Sequence, residues 1–484
     1  MIQVPFGAAE WQSIAPFAIV ALGGMVALLY AVFAEERPDT TSVMWMSQAG
    51  VFAGLVATLV LWGSDRSSFG ATFALDGLAL FSNLVFLLAA SMSMFMAQGY
   101  LEMIGVRARE FYPLVLFATA GMMIMAASRD LVLLFLGIEV MSLSAYVLAG
   151  IHRRDRASGE AALKYFILGA FATCFLLYGI AAFYGATGAT SYDGIRAGLG
   201  TAPRVAVLGG LALLIVALGF KAAIVPFQFW TPDVYQGAPS AVTAFMAVGV
   251  KAAAFAGIAR LFLTALAPLH LDWQKVLWVL AIATMTVGNV LALVQSNVKR
   301  MLAYSSIAHA GYLLTGVVVG TSRGGAALLF YLLTYAFTTL GAFGGVIALG
   351  VRGDTNENLE DWRGLADRRP LLAGAMTIFL LSLTGIPPLA GFVGKLYLVE
   401  AAVSSGWFWL AILLVLNGAI AAYYYLGVII AMWMRDPVKD APAWESRPYL
   451  NAALLVAALG TLLLGIFPSG ALDFARHAFA SIVR

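Results

Sequence analysis

Charge is scarce in this sequence. Only 11% of its 484 residues are Asp, Glu, Lys or Arg, whereas 62% are hydrophobic. A soluble domain carries roughly 25% charged residues, because its surface must be solvated by water. The composition therefore excludes a water-soluble globular protein and indicates a surface that faces lipid. The formal net charge of +3, without a run of Lys and Arg, gives no indication of nucleic-acid binding.

Cysteine is almost absent as well. Cys174 is the only one, and it lies in an apolar stretch. A single thiol forms no disulfide within the chain and supplies too few ligands for an iron–sulfur cluster. We therefore expect this chain to hold no iron–sulfur cluster of its own. We also predict no other cofactor and no metal site in it.

Apolar sequence is abundant and comes in blocks. The first block, residues 13–33, is too long for a signal peptide, and no Lys or Arg precedes it, since the first is Arg37. A span needs ~20 mostly apolar residues, and charged residues, glycine and proline divide the chain into about fourteen such spans. The longest polar connection is residues 351–369. The predicted fold class is an all-α integral membrane protein without a soluble domain.

Basic residues are distributed unevenly between the predicted connections. Those that follow odd-numbered spans hold 15 Lys and Arg, and those on the other side hold 8. Because Lys and Arg accumulate on the cytoplasmic side of membrane proteins, the odd-numbered connections are predicted to be cytoplasmic. Both termini are then expected on the outer side.

Five basic residues fall inside or beside the predicted spans: Lys164, Lys221, Lys251, Arg260 and Lys395. Four of the seven lysines of the chain are among them. Charged side chains at membrane depth are costly and mark ion or proton pathways. A chain that only filled a bilayer has no need of them.

Two predicted spans are interrupted by proline. Pro226 breaks the seventh span, and Pro387 and Pro388 break the twelfth, so that Pro387 follows Pro226 by 161 positions. Interrupted spans at corresponding places in two halves indicate an inverted-repeat transporter, whose freed backbone groups must face protein or water. The alternative is a pair of ordinary proline kinks.

Glu139 lies near the centre of the fifth span, and Lys221 is its predicted partner on the broken seventh span. An unpaired carboxylate there costs several kcal/mol, so it must be protonated or paired. Burial disfavours the charged lysine and a nearby carboxylate favours it, so moving the carboxylate releases a proton. A static salt bridge between two helices is the alternative. Lys164 follows Glu160 by four residues, so either an ion pair within the helix or snorkelling explains it.

The later spans supply three further candidates. Lys251 lies in mid-span among small residues, too deep for its side chain to reach the interface. His309 shares one helical face with Ser305 and Tyr312, and histidine titrates near physiological pH, although many histidines in spans serve packing alone. Lys395 follows the second break. The alternative to a functional role for Lys395 is again snorkelling of its side chain to the membrane interface. The candidates for proton transfer form a row along the membrane plane: Glu139, Lys221, Lys251, His309 and Lys395, with Lys164 as a possible addition.

Three long motifs carry a resemblance to a known family. They are FKAAIVPFQFWTPDVYQGAP (residues 220–239), KRMLAYSSIAHAGY (residues 299–312) and GIPPLAGFVGK (residues 385–395). Together they resemble the antiporter-like membrane subunits of bacterial NADH:quinone oxidoreductase, or complex I, over nearly the whole chain. Within that family Lys395 is typical of the N-type subunit, since a sister subunit carries Glu there.

The resemblance implies an architecture. It implies fourteen helices, with a three-helix segment at 1–110, five-helix inverted repeats at 111–270 and 271–440, each with a broken helix, and a final helix at 441–484. It further implies that Glu139 pairs with Lys221 and that Lys251 is the central lysine.

The resemblance also implies a function. The activity is proton translocation driven by quinone reduction elsewhere in the complex, with flavin and iron–sulfur clusters in other subunits. The partners are lipids and other membrane-arm subunits, including a neighbouring antiporter-like subunit. The location is the bacterial inner membrane, with both termini periplasmic. A subunit of a multi-subunit cation/proton antiporter and a purely structural membrane subunit are the alternatives.

Overall fold

The computed structural model describes residues 7–34, 39–106, 108–351, 355–437, 447–480 and 482. Within these residues, twelve helices are long and apolar enough to cross a membrane. Two further apolar helices, Phe111–Ala127 and Pro370–Thr384, are shorter. The prediction of an all-α, multi-pass membrane protein is confirmed.

The N-terminal segment contains three long helices and a small hairpin that sequence patterns did not predict. Its elements are α1 (Ala8–Phe33), α2 (Thr40–Val60), β1 (Arg66–Ser68), β2 (Phe73–Leu75), α3 (Gly77–Ala97) and α4 (Tyr100–Met103). The two strands pair antiparallel, with Ser67 opposite Ala74.

The next part of the chain contains the first proline break, between α9 and α10. Its elements are α5 (Phe111–Ala127), α6 (Leu131–Ala149), α7 (Arg156–Thr187), α8 (Tyr192–Gly198), α9 (Arg204–Ala222), α10 (Trp230–Gly237), α11 (Ser240–Phe245), a π-helical turn (Met246–Val250), α12 (Lys251–Leu263) and a 3₁₀ turn (Ala267–Leu269).

The remaining part contains the second break, between α17 and α18. Its elements are α13 (His270–Leu293), α14 (Val298–Val319), α15 (Ser322–Leu349), a 3₁₀ turn (Leu359–Trp362), α16 (Leu365–Arg368), α17 (Pro370–Thr384), α18 (Ala390–Ser404), α19 (Phe408–Met434), α20 (Pro448–Ile466) and α21 (Ser469–Ala480).

A few helices form the interior and the others surround them. The most apolar windows of Ser240–Leu263 and of α14 are 100% and 94% buried, whereas those of α1 and α20 are only 22% and 28% buried. A helix that is apolar all round and buried all round belongs to the core of a large bundle. Lys251 and His309 lie on these central helices, so the candidate site is enclosed by protein.

Glycines allow two helix pairs to approach closely. A Cβ atom at Gly121 of α5 would lie 2.5 Å from the backbone nitrogen of Met141 on α6. A Cβ atom at Gly288 of α13 would lie equally close, 2.5 Å, to the backbone nitrogen of Ala308 on α14. Small residues of this kind drive helix packing in membranes, where the hydrophobic effect contributes little.

The two breaks share one hydrogen-bond pattern. The helix before each break is followed directly by a residue of positive φ, Ala223 (59°) after α9 and Gly385 (95°) after α17. The amide of Ile224 donates to the carbonyl oxygen of Gly219 at 2.8 Å, and the amide of Ile386 donates to that of Leu381 at 3.0 Å. These bonds are 162 residues apart, so the counterpart of Pro226 is Pro388. Both predicted breaks, at Pro226 and at Pro387 and Pro388, therefore interrupt a helix in the same way.

Arg260, the fifth basic residue of the spans, ties three helices together. Its guanidinium donates two hydrogen bonds of 2.6 Å to the carboxylate of Asp76, at the start of α3. Its Nε donates at 2.7 Å to the carbonyl oxygen of Ala126, near the end of α5. The side chains of Arg260 and Asp76 are only 2% and 8% exposed. This ion pair joins α12 to α3 and α5.

We predict that Asp76→Ala destabilises the protein by about 3–5 kcal/mol, because it leaves the Arg260 guanidinium buried without a counter-charge. Thermal unfolding of the purified protein in detergent measures the loss. Asp193→Ala is the matched control, since Asp193 pairs with Arg129 at the surface, with side chains 65% and 30% exposed. There the change should be below about 1 kcal/mol. Equal losses in the two variants would contradict the structural role of the buried pair.

We also predict that Gly288→Leu separates α13 from α14 and lowers the yield of folded protein. Overpacking of this kind costs about 1–3 kcal/mol or more, because the contact is backbone and cannot move aside. Gly209→Leu on α9 is the control, since a Cβ atom at Gly209 would meet no other atom within 4 Å. Size-exclusion chromatography of the two variants measures the difference, and a normal Gly288→Leu profile would argue against the close approach.

Candidate functional site

Lys221 lies in the last turn of α9, just before the first break. Its ammonium donates hydrogen bonds to the hydroxyl of Ser142 at 2.7 Å and to the hydroxyl of Tyr146 at 3.2 Å, both on α6. The side chain is buried, at 4% exposure. Two hydroxyls therefore replace the water that this lysine loses inside the bundle.

Glu139 does not form the predicted ion pair with Lys221. Its carboxylate instead accepts a hydrogen bond of 2.8 Å from the hydroxyl of Thr173 on α7. Glu139, Ser142 and Tyr146 recur at spacings of three and four residues, so they share one face of α6. Glu139 thus lies about one helical turn before Ser142, and Ser142 occupies the position next to Lys221.

Lys251 follows the π-helical turn Met246–Val250. Its ammonium donates to the backbone oxygen of Ser306 on α14. The hydroxyl of Ser306 in turn accepts a hydrogen bond of 2.9 Å from the hydroxyl of Tyr335 on α15. Single π turns inside α-helices are frequent at functional sites, because they displace one turn of side chains.

His309 lies at the centre of a cluster of tyrosines. Its Nδ1 is 2.7 Å from the hydroxyl of Tyr331, and its Nε2 is 3.4 Å from the hydroxyl of Tyr425. The Tyr425 hydroxyl also hydrogen-bonds the hydroxyl of Ser305. Ser305, His309 and Tyr312 are all buried, so the predicted polar face of α14 does point inward.

Lys395 turns back towards the second break. Its ammonium donates to the backbone oxygens of Leu383 at 2.8 Å and Thr384 at 2.9 Å, at the end of α17. The C-terminal end of a helix carries partial negative charge, which favours a cation there. The ammonium also lies 4.8 Å from the ring centre of Tyr312. Because the side chain is only 8% exposed, Lys395 does not snorkel.

The structure brings three of the predicted residues into one group. The ring of His309 lies 5.1 Å from that of Tyr335, which is bonded to the serine that contacts Lys251. On its other side, the ring of His309 lies 5.3 Å from that of Tyr312, which faces Lys395. Lys221 forms a second group with the hydroxyls of α6.

Lys164 belongs to neither group. Its ammonium pairs with Glu160 at 2.6 Å, as the four-residue spacing predicted, and with Asp233 at 2.8 Å. Asp233 also pairs with Arg300 at 2.9 Å. Lys164 is thus part of an ionic cluster near one end of the bundle.

Sequence reasoning missed the hydroxyl groups between the titratable residues. Ser142 and Tyr146 could have been predicted, because they follow Glu139 at spacings that place all three residues on one face of a helix. The sequence indicates Tyr331 and Tyr335 more weakly, since their only pattern is a four-residue spacing that places them on one helical face. No sequence pattern indicates Tyr425, because its hydrogen-bond partners, Ser305 and His309, are more than a hundred residues away.

The described residues contain no group of three His, Cys, Asp or Glu side chains that could hold a metal ion. The functional groups that the site does contain are lysine, histidine and hydroxyl, which bind and transfer protons.

Comparisons with known proteins agree on one family. The family model described as "NADH:quinone oxidoreductase/Mrp antiporter, TM" matches residues 128–421. NADH-quinone oxidoreductase subunit N of Trichlorobacter lovleyi is 46% identical, over 96% of this chain and 96% of that protein.

Two solved structures share the fold. A chain of respiratory complex I from Thermus thermophilus superimposes with a TM-score of 0.80 at 37% identity, over 95% of this chain and 98% of that one. A chain of the Mrp complex from Dietzia superimposes with a TM-score of 0.85 at 25% identity, over 97% of each. The fold is common to both complexes, whereas the sequence is nearer to complex I. The chain therefore belongs to the NADH-quinone oxidoreductase subunit N family.

Proposed function

We propose that this chain is a proton-translocating membrane subunit of NADH:quinone oxidoreductase, coupling quinone reduction elsewhere in the complex to proton transfer through its interior. The observation that carries the proposal is the buried group formed by Lys251, His309 and Lys395, joined through tyrosines and serines in the middle of an apolar bundle. A static scaffold has no use for several desolvated cations without carboxylate partners.

The proposed topology has fourteen crossings. To the twelve long helices we add α5 and the broken pair α17–α18. Two observations support inverted repeats at 111–270 and 271–440: the close pairs α5–α6 and α13–α14, and the shared hydrogen-bond pattern of the breaks. The segments 1–110 and 441–484 lie outside them.

Proton transfer in the group of Lys251, His309 and Lys395 runs through hydroxyls. A lysine ammonium donates a proton and the neutral amine accepts one, and tyrosine, serine and histidine relay it between them. In the proposed direction, Lys221 supplies Lys251, and the proton continues through His309 to Lys395 for release outside. After each transfer, the group that gave up its proton is protonated again by the preceding member of the relay.

Glu139 is the proposed receiver of the coupling signal. It is only partly buried by this chain, although it lies near mid-membrane on α6, beside the exposed side chains of Leu136, Val140 and Leu143. A carboxylate at this depth needs a polar neighbour, and we assign that neighbour to an adjacent antiporter-like subunit. A charge change there alters the attraction that Glu139 exerts on Lys221.

The proposed setting is a multi-subunit complex in a bacterial membrane. We propose the bacterial inner membrane, with the more basic connections cytoplasmic, both termini periplasmic, and other membrane-arm subunits and lipids as partners. Flavin and iron–sulfur clusters are assigned to other subunits, and this chain holds no redox centre.

A cation/proton antiporter subunit is the second candidate, favoured by the fold shared with the Mrp complex of Dietzia. Lys395 and the higher identity to the complex I chain favour the first. A purely structural subunit is the third reading, in which neutralised lysines impair assembly alone.

We predict that this chain, affinity-tagged in its native membrane and extracted in mild detergent, copurifies with NADH:quinone activity, flavin and iron–sulfur signals. The reason is that the redox centres reside in the partners it binds. Membrane subunits without NADH oxidation, but with sodium-dependent proton exchange, would instead support the antiporter.

We predict that Lys251→Met strongly lowers NADH-driven proton transport in membrane vesicles without reducing the amount of assembled complex. Methionine keeps the length of the side chain but cannot carry a proton. Lys275→Met is the control, because Lys275 is exposed on α13. If Lys251→Met leaves both proton transport and turnover unchanged, the relay does not pass through this residue.

A further inference from the structure

Two buried asparagines lie beside the group of Lys251, His309 and Lys395. Asn289 is on α13 and Asn417 is on α19, with 0% and 3% of their surface exposed. Both helices are long and apolar enough to cross a membrane, so an amide there is costly unless it is hydrogen-bonded. A carboxamide donates and accepts hydrogen bonds but does not titrate, so neither asparagine is a member of the proposed relay.

The side chain of Asn289 contacts a tyrosine of that group. Its Nδ2 donates a hydrogen bond of 3.0 Å to the hydroxyl of Tyr312 on α14, the only partner of that hydroxyl within the described residues. Tyr312 lies between the last two members of the proposed relay. Its ring is edge-on to that of His309 at 5.3 Å, and its ring centre is 4.8 Å from the ammonium of Lys395. Asn289 therefore holds the far end of the ring that separates the two titratable groups.

The orientation of the Asn289 amide is itself fixed. Its Nδ2 also donates to the backbone and side-chain oxygens of Asn417, at 3.1 and 3.2 Å. Its oxygen accepts a hydrogen bond of 3.0 Å from the hydroxyl of Tyr424 on α19. A backbone oxygen can only accept, so it requires the amide nitrogen on its own side. A flip of the amide would break these bonds, and the nitrogen therefore keeps facing Tyr312.

Helix α19 borders the relay on both sides of Tyr312. A Cβ atom at Gly418, the residue after Asn417, would lie 4.0 Å from the ammonium nitrogen of Lys395. Further along α19, the hydroxyl of Tyr425 is 3.4 Å from Nε2 of His309. The asparagine pair thus ties α13 and α19 to the tyrosine that stands between these two contacts.

We propose that Asn289 is a positioning residue for the transfer between His309 and Lys395, acting through the hydroxyl of Tyr312. The proposal rests on the proposed function and adds a residue to it. The face of an aromatic ring attracts a cation, so the rotation of Tyr312 determines how firmly Lys395 is held in its protonated form. Because Asn289 is a carboxamide, it fixes the ring without competing for the proton.

The alternative role for Asn289 is helix association alone. Asparagine side chains commonly hydrogen-bond between helices inside membranes, and such bonds stabilise the packing. A packing role is independent of whether residue 312 carries a hydroxyl, whereas the positioning role requires it. The tests therefore combine changes at Asn289 with a change at Tyr312.

Asn289→Leu in the intact complex is the first test, because leucine has a similar shape and lacks the amide. We expect the amount of assembled complex to be normal and NADH-driven proton transport in vesicles to fall several-fold. Asn83→Leu is the matched control. Asn83 is also buried, at 3% exposure on α3, and its side-chain oxygen has no hydrogen-bond partner within the described residues. Normal transport in Asn289→Leu would overturn the proposal.

A double-mutant cycle separates positioning from packing. Tyr312→Phe removes the hydroxyl and keeps the ring. If Asn289 acts through that hydroxyl, adding Asn289→Leu to Tyr312→Phe should lower transport less than two-fold further, because the interaction is already lost. A loss in the double variant equal to the product of the two single losses would contradict the proposal.

Tyr424→Phe decides the matter if Asn289→Leu does not assemble. It removes only the hydroxyl that orients the Asn289 amide, and the ring remains in place. We expect a loss of transport that does not add to that of Tyr312→Phe. Tyr423→Phe is the control on the same helix, since Tyr423 is 74% exposed. In that case, normal transport in Tyr424→Phe or losses that multiply would overturn the proposal.

The results also separate this proposal from the proposed function. Loss of transport in Lys251→Met with none in Asn289→Leu would leave the relay standing and reject the role of Asn289. Normal transport in both variants would reject both.

Discussion

Lipid offers no hydrogen-bond partner, so each polar group at membrane depth must find one inside the protein. That constraint accounts for most of what is unusual in this chain. Lys221 is held by two hydroxyls, Lys251 by a backbone oxygen, and Lys395 by the oxygens at the end of a helix. None of these partners is charged. The positions of the lysine ammonium groups therefore depend on where the fold places neutral hydroxyl and carbonyl oxygens.

The breaks are the clearest case. An unbroken helix has no free carbonyl oxygen in mid-membrane, and α17 has two for Lys395 because it ends there. At the offset of 162 residues between the breaks, Leu383 corresponds to Lys221 and Lys395 corresponds to Asp233. Among the buried lysines, the one next to the first break, Lys221, therefore precedes that break, whereas the one next to the second break, Lys395, follows it. In the first half, the position after the break is occupied by an acid in the ionic cluster.

The sequence predicted these features unequally, for physical reasons. Long apolar helices and mid-span lysines follow from hydropathy, and the breaks follow from proline, because each is a local property. The partners of the lysines are not local. Tyr425 reaches His309 from a helix far along the chain, and no pattern within α19 distinguishes it from its two tyrosine neighbours.

The predicted ion pair between Glu139 and Lys221 is not formed, for a related reason. Opposite charges on facing helices predict attraction, but the meeting point depends on the rotation of α6. That rotation turns Ser142 towards the lysine and Glu139 towards Thr173. The cavity lined by α7, α10 and the start of α14 was also beyond prediction, because it is formed by segments that are distant in sequence.

The glycine contacts have a mechanical consequence. In α5–α6 and α13–α14 the backbones touch, leaving no side-chain layer that could slide or repack. The same kind of contact is present beside the first break, where a Cβ atom at Gly237 of α10 would lie 2.5 Å from the backbone oxygen of Ala157 on α7. We expect relative movement of these helices to be small, because a shift at any of these contacts brings backbone atoms into collision.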